Sequence, residues 1–314
     1  MKNLFGGFLL AALAAFAQAP AQLHTIHVQG NVYMITGAGG NVTAQIGKDG
    51  ILLVDTGLAA NADALLAEVR KLSPGPIRYI INTHVHPDHV GGNEKLGAAG
   101  KTVAGGNVTG DIGDAAVGAA IIANEALMNR MSSPGPNDPK YPSKAWPTDT
   151  YFTPRKKMFF NGEAIEILHI PNGHTDGDSI VFFRRSDVIA MGDDFVTNGY
   201  PVIDLDRGGS IDGLLKALNT AIDISVPEDK QEGGTYLIPG HGRVADQADL
   251  VEYRDMTTII RDRIRDGIKK GQTLAQVKAA QPTLDYDPVF GTTTGRWTND
   301  AFIEALYKSL SAKK

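Results

Sequence analysis

The strongest chemical signal in the chain is His84-Val85-His86-Pro87-Asp88-His89, at the end of the apolar run Tyr79-Ile80-Ile81. In an extended chain, side chains two residues apart face the same way, so His84 and His86 can grip one metal ion together. Pro87 holds His86 extended and then turns the chain. Asp88 and His89 therefore point elsewhere, toward a second ion close by. With eight histidines in 314 residues, H-x-H-x-D-H arises by chance on the order of once in several thousand such chains. Histidines merely hydrogen-bonded in a loop are the weaker reading.

Three more segments repeat the pattern of an apolar strand running out into Gly, Pro and metal-type ligands. Ile165 to Ile170 leads to Gly173-His174, Val188 to Met191 leads to Gly192-Asp193-Asp194, and Tyr236 to Ile238 leads to Gly240-His241-Gly242. Loops at strand ends are where α/β proteins place their sites. Taken singly, His174 and His241 read as loop structure, and Asp193 as a cap or turn residue. Their shared placement raises all three, because ligands from distant segments must meet at one sheet edge. Neutral imidazoles and carboxylates suit Zn²⁺, with iron or manganese as further options. The chain has no cysteine. That excludes disulfides, Cys-ligated zinc, iron–sulfur clusters and a thiol nucleophile.

Together these residues resemble the metallo-β-lactamase superfamily from about Gly30 to Gly242. The resemblance rests on Asp55-Thr56-Gly57 after a strand, the H-x-H-x-D-H segment, Gly173-His174, Gly192-Asp193 and Gly240-His241-Gly242, all in the family's order. It implies an α/β fold, the αββα four-layer sandwich, with the site at one edge of two sheets. It also implies two Zn²⁺ per chain, one on His84, His86 and His174, the other on Asp88, His89 and His241. Asp193, rather than Asp194, is expected to bridge them because it directly follows Gly192. Two such ions about 3.5–4 Å apart would hold a bridging hydroxide that attacks an ester, lactone, thioester or amide bond of a small molecule. Asp88 is assigned a second, catalytic role, orienting that hydroxide or taking its proton.

Departures from the family narrow the expectation. One β-lactamase subgroup carries Cys where Asp193 stands, and another lacks the bridging carboxylate. The chain thus looks more like the family's general hydrolases, with β-lactamase a weak side activity. Glyoxalase II enzymes share the ligand set but serve a cytoplasmic glutathione thioester. Two rivals stay open: a mononuclear iron persulfide dioxygenase of the same fold, and a non-catalytic periplasmic metal-binding protein.

Supporting roles are less specific. Asp55 either accepts hydrogen bonds from the ligand loop or simply forms the turn before Gly57. Asp176 and Asp178, close to His174, are further candidates for support. The segments Ser132 to Pro154 and Asn198 to Pro201 could overhang the metals, which makes Trp146 and Tyr200 candidates for stacking on substrate, against a plain packing role. His169 reads as packing or lining, and His24 and His27 receive no role.

The elements that position these residues follow from periodicity. Thr25 to Val28, Val32 to Ile35, Val42 to Ile46, Ile51 to Val54 and Ile77 to Ile81 read as strands, with turns at Gly30-Asn31 and Lys48-Asp49-Gly50. Ala59 to Leu72 has helical spacing and stops before Pro74. Ala-rich Gly113 to Met131 also reads as helix, and Ser132 to Pro154 as an irregular excursion. Met158 to Ile170 reads as a hairpin turning at Asn161-Gly162, and Ile180 to Phe183, Val188 to Met191 and Thr235 to Ile238 as strands. Gly213 to Ile224 reads as helix, and Met256, Ile260, Ile264 and Ile268 give the tail i, i+4 spacing.

The organisation expected is a secretory signal peptide over 1–21, one catalytic domain over 22–245 and a helical extension over 246–314 packed on it. Lys2 precedes an apolar stretch from Leu4 to Ala17, with A-x-A spacing at Ala15-Phe16-Ala17 and Ala19-Pro20-Ala21. That stretch is short of the roughly 20 residues that span a bilayer. Cleavage near Ala17 or Ala21 would give a periplasmic or secreted chain with no stable membrane insertion. The net charge of −5 lacks the clustered cations of a nucleic-acid or polybasic membrane surface.

Overall fold

Two β-sheets stacked face to face carry the molecule, as seen in a computed structural model that describes residues 22–102, 117–136 and 138–312. The signal-peptide reading falls on 1–21, outside the described residues. The first sheet runs in sequence order: β1 (His24–Gln29), β2 (Val32–Thr36), β3 (Val42–Gly47), β4 (Gly50–Val54), β5 (Ile77–Ile81), β6 (Ala120–Asn124) and β7 (Asp149–Tyr151). Its first four strands pair antiparallel, and β4 through β7 pair parallel. The second sheet is built from β8 (Arg155–Phe160), β9 (Glu163–Ile170), β10 (Asp178–Phe183), β11 (Val188–Val196) and β12 (Tyr236–His241), in the order β12-β11-β10-β9-β8. Only β11 and β12 run parallel in it.

Alternation along the strands separates the layers. Met34, Leu52, Val54 and Ile81 of the first sheet meet Ile167, Val181, Phe183 and Ile238 of the second in the central core. Their strand neighbours Ile35, Leu53 and Ile80 face outward onto Leu65 and Val69 of α1 (Ala62–Leu72). Short helices α2 (Pro87–Val90) and α3 (Asn93–Ala98) follow β5, and α4 (Glu125–Ser132) follows β6. On the other outer face, Leu168, Ile180, Ile189 and Met191 pack against α5 (Ile211–Ile224) and α6 (Gln247–Lys269). The tail continues through α7 (Leu274–Ala279), α8 (Asp287–Phe290) and α9 (Asn299–Ser311), and Phe302 and Leu306 of α9 join the same core. The four layers are therefore helix, sheet, sheet, helix. Among the described residues no helix is long and apolar enough to cross a membrane.

Two elements differ from the sequence reading. Within the stretch expected to be helical, Ala120–Asn124 is strand β6, and helix begins only at Glu125. The Ala-rich composition favours helix locally, but the slot between β5 and β7 overrides it. There Ile121 and Ile122 serve the outer and the central core respectively. Asn124 then accepts from Ala126 N at 2.9 Å and caps α4. Residues 113–116 of that expected helix lie outside the described residues. The excursion after α4 also contains one short strand, β7.

Candidate metal centre

Three strand-end segments and the interior of β11 deliver the ligand atoms to one edge of the sandwich. The segment after β5 leaves His84 buried, and Pro87 at the first position of α2 keeps His86 extended at φ −68°, ψ 149°. Asp193 sits on β11 where its register with β12 breaks on both sides of Gly192. Gly192 itself has φ +54°, a conformation few side chains tolerate. His174 lies in the β9–β10 loop and His241 ends β12.

These side chains form two groups. His84, His86, His174 and Asp193 bring ligand atoms within 4.8 Å of one another, and so do Asp88, His89 and His241. Asp193 faces both. Its Oδ2 is 3.8 Å from His84 Nε2 and 3.7 Å from His174 Nε2, while its Oδ1 is 3.1 Å from His89 Nε2 and 3.5 Å from His241 Nε2. Asp88 Oδ2 completes the second group, 3.3 Å from His241 Nε2 and 3.9 Å from His89 Nε2.

Four of the five imidazoles are aimed by a partner on the far nitrogen. His174 Nδ1 lies 2.7 Å from the Val202 carbonyl, and His84 Nδ1 lies 3.0 Å from Thr83 Oγ1. Asp55 accepts from Thr83 N at 2.8 Å and from Thr83 Oγ1 at 2.7 Å, and its Oδ2 also meets His89 Nδ1 at 2.7 Å. His86 Nε2 meets Asp204 Oδ2 at 2.7 Å, which leaves Nδ1 for the centre. Such outer partners fix which nitrogen is free to ligate.

The charges are unbalanced in a telling direction. Burial opposes ionisation of Asp193, yet His89 and His84 hold its carboxyl well below the ordinary range. Burial likewise opposes a charge on His89, but Asp193 and Asp55 raise it well above its usual value. His241 is raised to about 9 against its burial by bonds to Asp193 and Asp88. His84 and His174 go the other way: burial pushes His84 well below its usual value and His174 down to about 4. The pocket of carboxylates thus collects positive charge wherever it can find it, and a cation would replace those protons.

A fit test for metal follows from the buried polar atoms. His84 Nε2, His89 Nε2 and Asp193 Oδ1 are buried without an aligned hydrogen bond. Buried polar atoms are ordinarily paired, and these three point at one small volume. The donor set of imidazole nitrogens and carboxylate oxygens suits Zn²⁺ and its first-row neighbours. The residues fit a divalent metal ion.

Other expected residues are placed as follows. Asp178 and Asp194 lie buried against each other behind the His174 loop, where burial raises both. Asp178 accepts from Thr175 N at 2.8 Å, and Asp194 Oδ1 accepts from His174 N at 3.1 Å, so the two hold the loop that carries His174. Asp176 turns away and pairs with Arg130 at 2.7 Å. Trp146 packs beside Val85, Val90 and Leu127 and donates to the Tyr141 carbonyl at 3.1 Å, a structural position. Tyr200 borders the cavity over the ligands, but its hydroxyl donates to Asp287 Oδ1 at 2.8 Å and its ring stacks on Phe302 at 4.7 Å. His169 is a strand residue opposite Ser179.

Sequence reasoning did not single out Asp204, Phe290 or Trp297. Asp204 is itself held by Arg207 Nη1 at 2.6 Å. Phe290 and Trp297 come from the helical tail and line the cavity over His86, His174 and His241. No local motif marks any of the three.

A family model described as the metallo-beta-lactamase superfamily covers residues 27–241. A linear primary-alkylsulfatase from Pseudomonas sp. is 47% identical over 45 residues, which is 14% of this chain and 8% of that protein. Among solved structures, the stereoselective inverting sec-alkylsulfatase from Pseudomonas sp. superposes with a TM-score of 0.62 at 17% identity, covering 91% of this chain and 50% of that one. A metallo-beta-lactamase from Pontibacter korlensis gives a TM-score of 0.54 at 17% identity, over 76% of this chain and 99% of that one. The chain therefore spans about half the length of the alkylsulfatase structure it resembles, and a small part of its curated relative.

Proposed function

This chain belongs to the metallo-beta-lactamase superfamily, and from that membership and its own site we propose that it is an exported dinuclear zinc hydrolase acting on an ester, lactone, thioester or amide bond of a small molecule. The observation that carries this reading is the two-sided carboxylate of Asp193, with His84 and His174 on one oxygen and His89 and His241 on the other. A single-ion site would leave the group of Asp88, His89 and His241 without purpose, which disfavours the iron dioxygenase.

When bound, the two ions would supply Lewis acidity toward the substrate's reacting oxygen and bring the pKa of water toward neutrality. His84, His86 and His174 would hold one ion, and Asp88, His89 and His241 the other, with Asp193 shared. Asp88 is the one carboxylate of the set with about a third of its side chain open to solvent. Burial raises its pKa, but His241 and His89 outweigh that and hold it below the ordinary range. It is therefore ionised at neutral pH and can accept a proton from the attacking water at Oδ. Phe290 and Trp297 line the approach to these ligands with apolar surface.

Metal analysis combined with a substrate panel tests this. The expected result is two equivalents of zinc and a chelator-sensitive turnover of at least one ester, lactone, thioester or amide. Bound zinc with no turnover on any class would favour a metal carrier, and one iron with oxygen uptake would favour the dioxygenase. The alkylsulfatase relatives add sulfate esters as a second reading, so the panel includes a primary and a secondary alkyl sulfate, and a β-lactam for the side activity. Export is tested by fractionation and by N-terminal sequencing, which should begin near Gln18 or Gln22.

A further inference from the structure

The helical tail reaches the ligand atoms. A cavity of about 320 Å³ opens over His86, His174, Asp193 and His241, and part of its wall is Phe290, Thr292 and Trp297. A larger one of about 870 Å³ shares His86, Asp88 and Trp297 with it and continues past Arg207, Arg296 and Lys308. Trp297 thus lines both cavities. Its indole N–H donates to the Pro201 carbonyl at 3.1 Å and its ring packs on the α5–α6–α9 core, so its position is fixed. Phe290 is set by Tyr200, 6.2 Å away between ring centres, and by Tyr253 at 5.6 Å.

The charges along the larger cavity are mostly neutralised within the protein. Arg207 pairs with Asp138 and Asp204 at 2.6 Å each, and Lys308 pairs with Glu304 at 2.8 Å. Arg296 is exposed on that wall and, among the described residues, has no hydrogen-bond or ion-pair partner. Asp206 is an exposed carboxylate on the same wall. The surface is therefore not uniformly cationic, and Arg296 is a single uncompensated cation on it rather than part of a basic patch.

We propose that the stretch from Phe290 to Trp297 is the specificity wall of this site, with Phe290 and Trp297 taking an apolar flank of the substrate and Arg296 a single anionic group at its far end. The preferred substrates are then amphiphilic monoanions. A guanidinium fork matches the planar oxygens of a carboxylate or the face of a sulfate, and an aromatic wall in a cavity of this size suits an apolar flank. The inference rests on the hydrolase reading and deepens it.

Two 4-nitrophenyl esters provide the test, the glutarate hemiester and the valerate, which differ by a carboxylate in place of a methyl group. The wild-type chain should prefer the hemiester. Arg296→Gln should lower the hemiester-to-valerate ratio of kcat/KM by on the order of tenfold, with zinc content and melting temperature intact. Trp297→Ala should raise KM on both esters, and Trp297→Phe should restore most of it. Turnover of both esters with no selectivity change in Arg296→Gln would overturn the inference and leave the hydrolase reading standing. Absence of chelator-sensitive turnover on any substrate class would remove the hydrolase reading instead. Calorimetric binding of glutarate against pentanol then decides the wall by itself: equal glutarate affinity in wild type and Arg296→Gln would overturn it.

Discussion

One oxygen of Asp55 serves two elements of the centre: Oδ2 lies 2.7 Å from His89 Nδ1 and accepts from Thr83 Oγ1 at the same distance. Asp55 thereby ties the strand-end segment that carries His84 to the helix that carries His89. Its backbone is left-handed at φ 65°, a strained setting for a residue with a side chain. Asp55→Asn keeps the shape but presents an N–H₂ or a weaker acceptor to His89. Zinc affinity or kcat/KM should fall about 10–100-fold, as read by competition with a chromogenic chelator and by kinetics. Unchanged zinc affinity and kinetics would remove Asp55 from the support of the site.

Asp193 should matter more than any single histidine, because removing it disturbs both groups. In Asp193→Ala the oxygens between His84, His174, His89 and His241 vanish together. Zinc stoichiometry should drop below two and kcat should fall by more than about 100-fold, beyond the range of an outer partner. Retention of two ions would mean that the carboxylate does not bridge.

Gly240 approaches the same carboxylate so closely that no side chain fits. A methyl group there would sit 2.0 Å from Asp193 Oδ1 and 2.7 Å from the Gly192 backbone carbon. Gly240→Ala must push Asp193 or part β11 from β12. The expected cost is about 1–3 kcal/mol of stability, as for an overpacked core, together with lost zinc. Chemical denaturation and metal analysis of one preparation check both, and a variant with normal zinc content would refute the displacement.

The ligand loops were readable in the sequence because their residue types are scarce and each follows an apolar strand. His84, His86, His89, His174 and His241 come together from three such segments, and Asp193 joins them from a fourth. Asp204 was not readable, since its partner His86 lies 118 residues away and the turn around it carries no distinctive type. Arg296 and Trp297 were hidden for a related reason: the tail's pattern reports a solvated helix, and only the packing of Phe290 of α8 and Phe302 of α9 against Tyr200 brings them to the cavity. Nearness in sequence misled at Asp176, where the side chain one turn from His174 points to Arg130 instead. Strand β6 shows the same principle in the fold, with pairing on both sides outweighing an Ala-rich helical propensity.

His169 offers a pH prediction independent of the metal ligands. Burial lowers its pKa below the ordinary value, and the weaker opposing influences of the Asp178 carbonyl and Asp176 do not restore it. In the unfolded chain its pKa returns to about 6.5. As pH falls through that value the unfolded chain takes up a proton that the folded one refuses, so this residue's effect on stability turns against the fold. Above about pH 7 both states hold it neutral and the effect is absent. His169→Gln cannot titrate. In metal-free protein, the unfolding free energy of wild type relative to His169→Gln should hold steady between pH 7 and 8 and decline from about pH 6.5 downward. Comparing the two proteins at each pH cancels the titration of the other histidines, which both share. A difference that stays flat to pH 5 would mean that His169 is as free to protonate in the fold as outside it, contrary to its half-buried place on β9 beside β10.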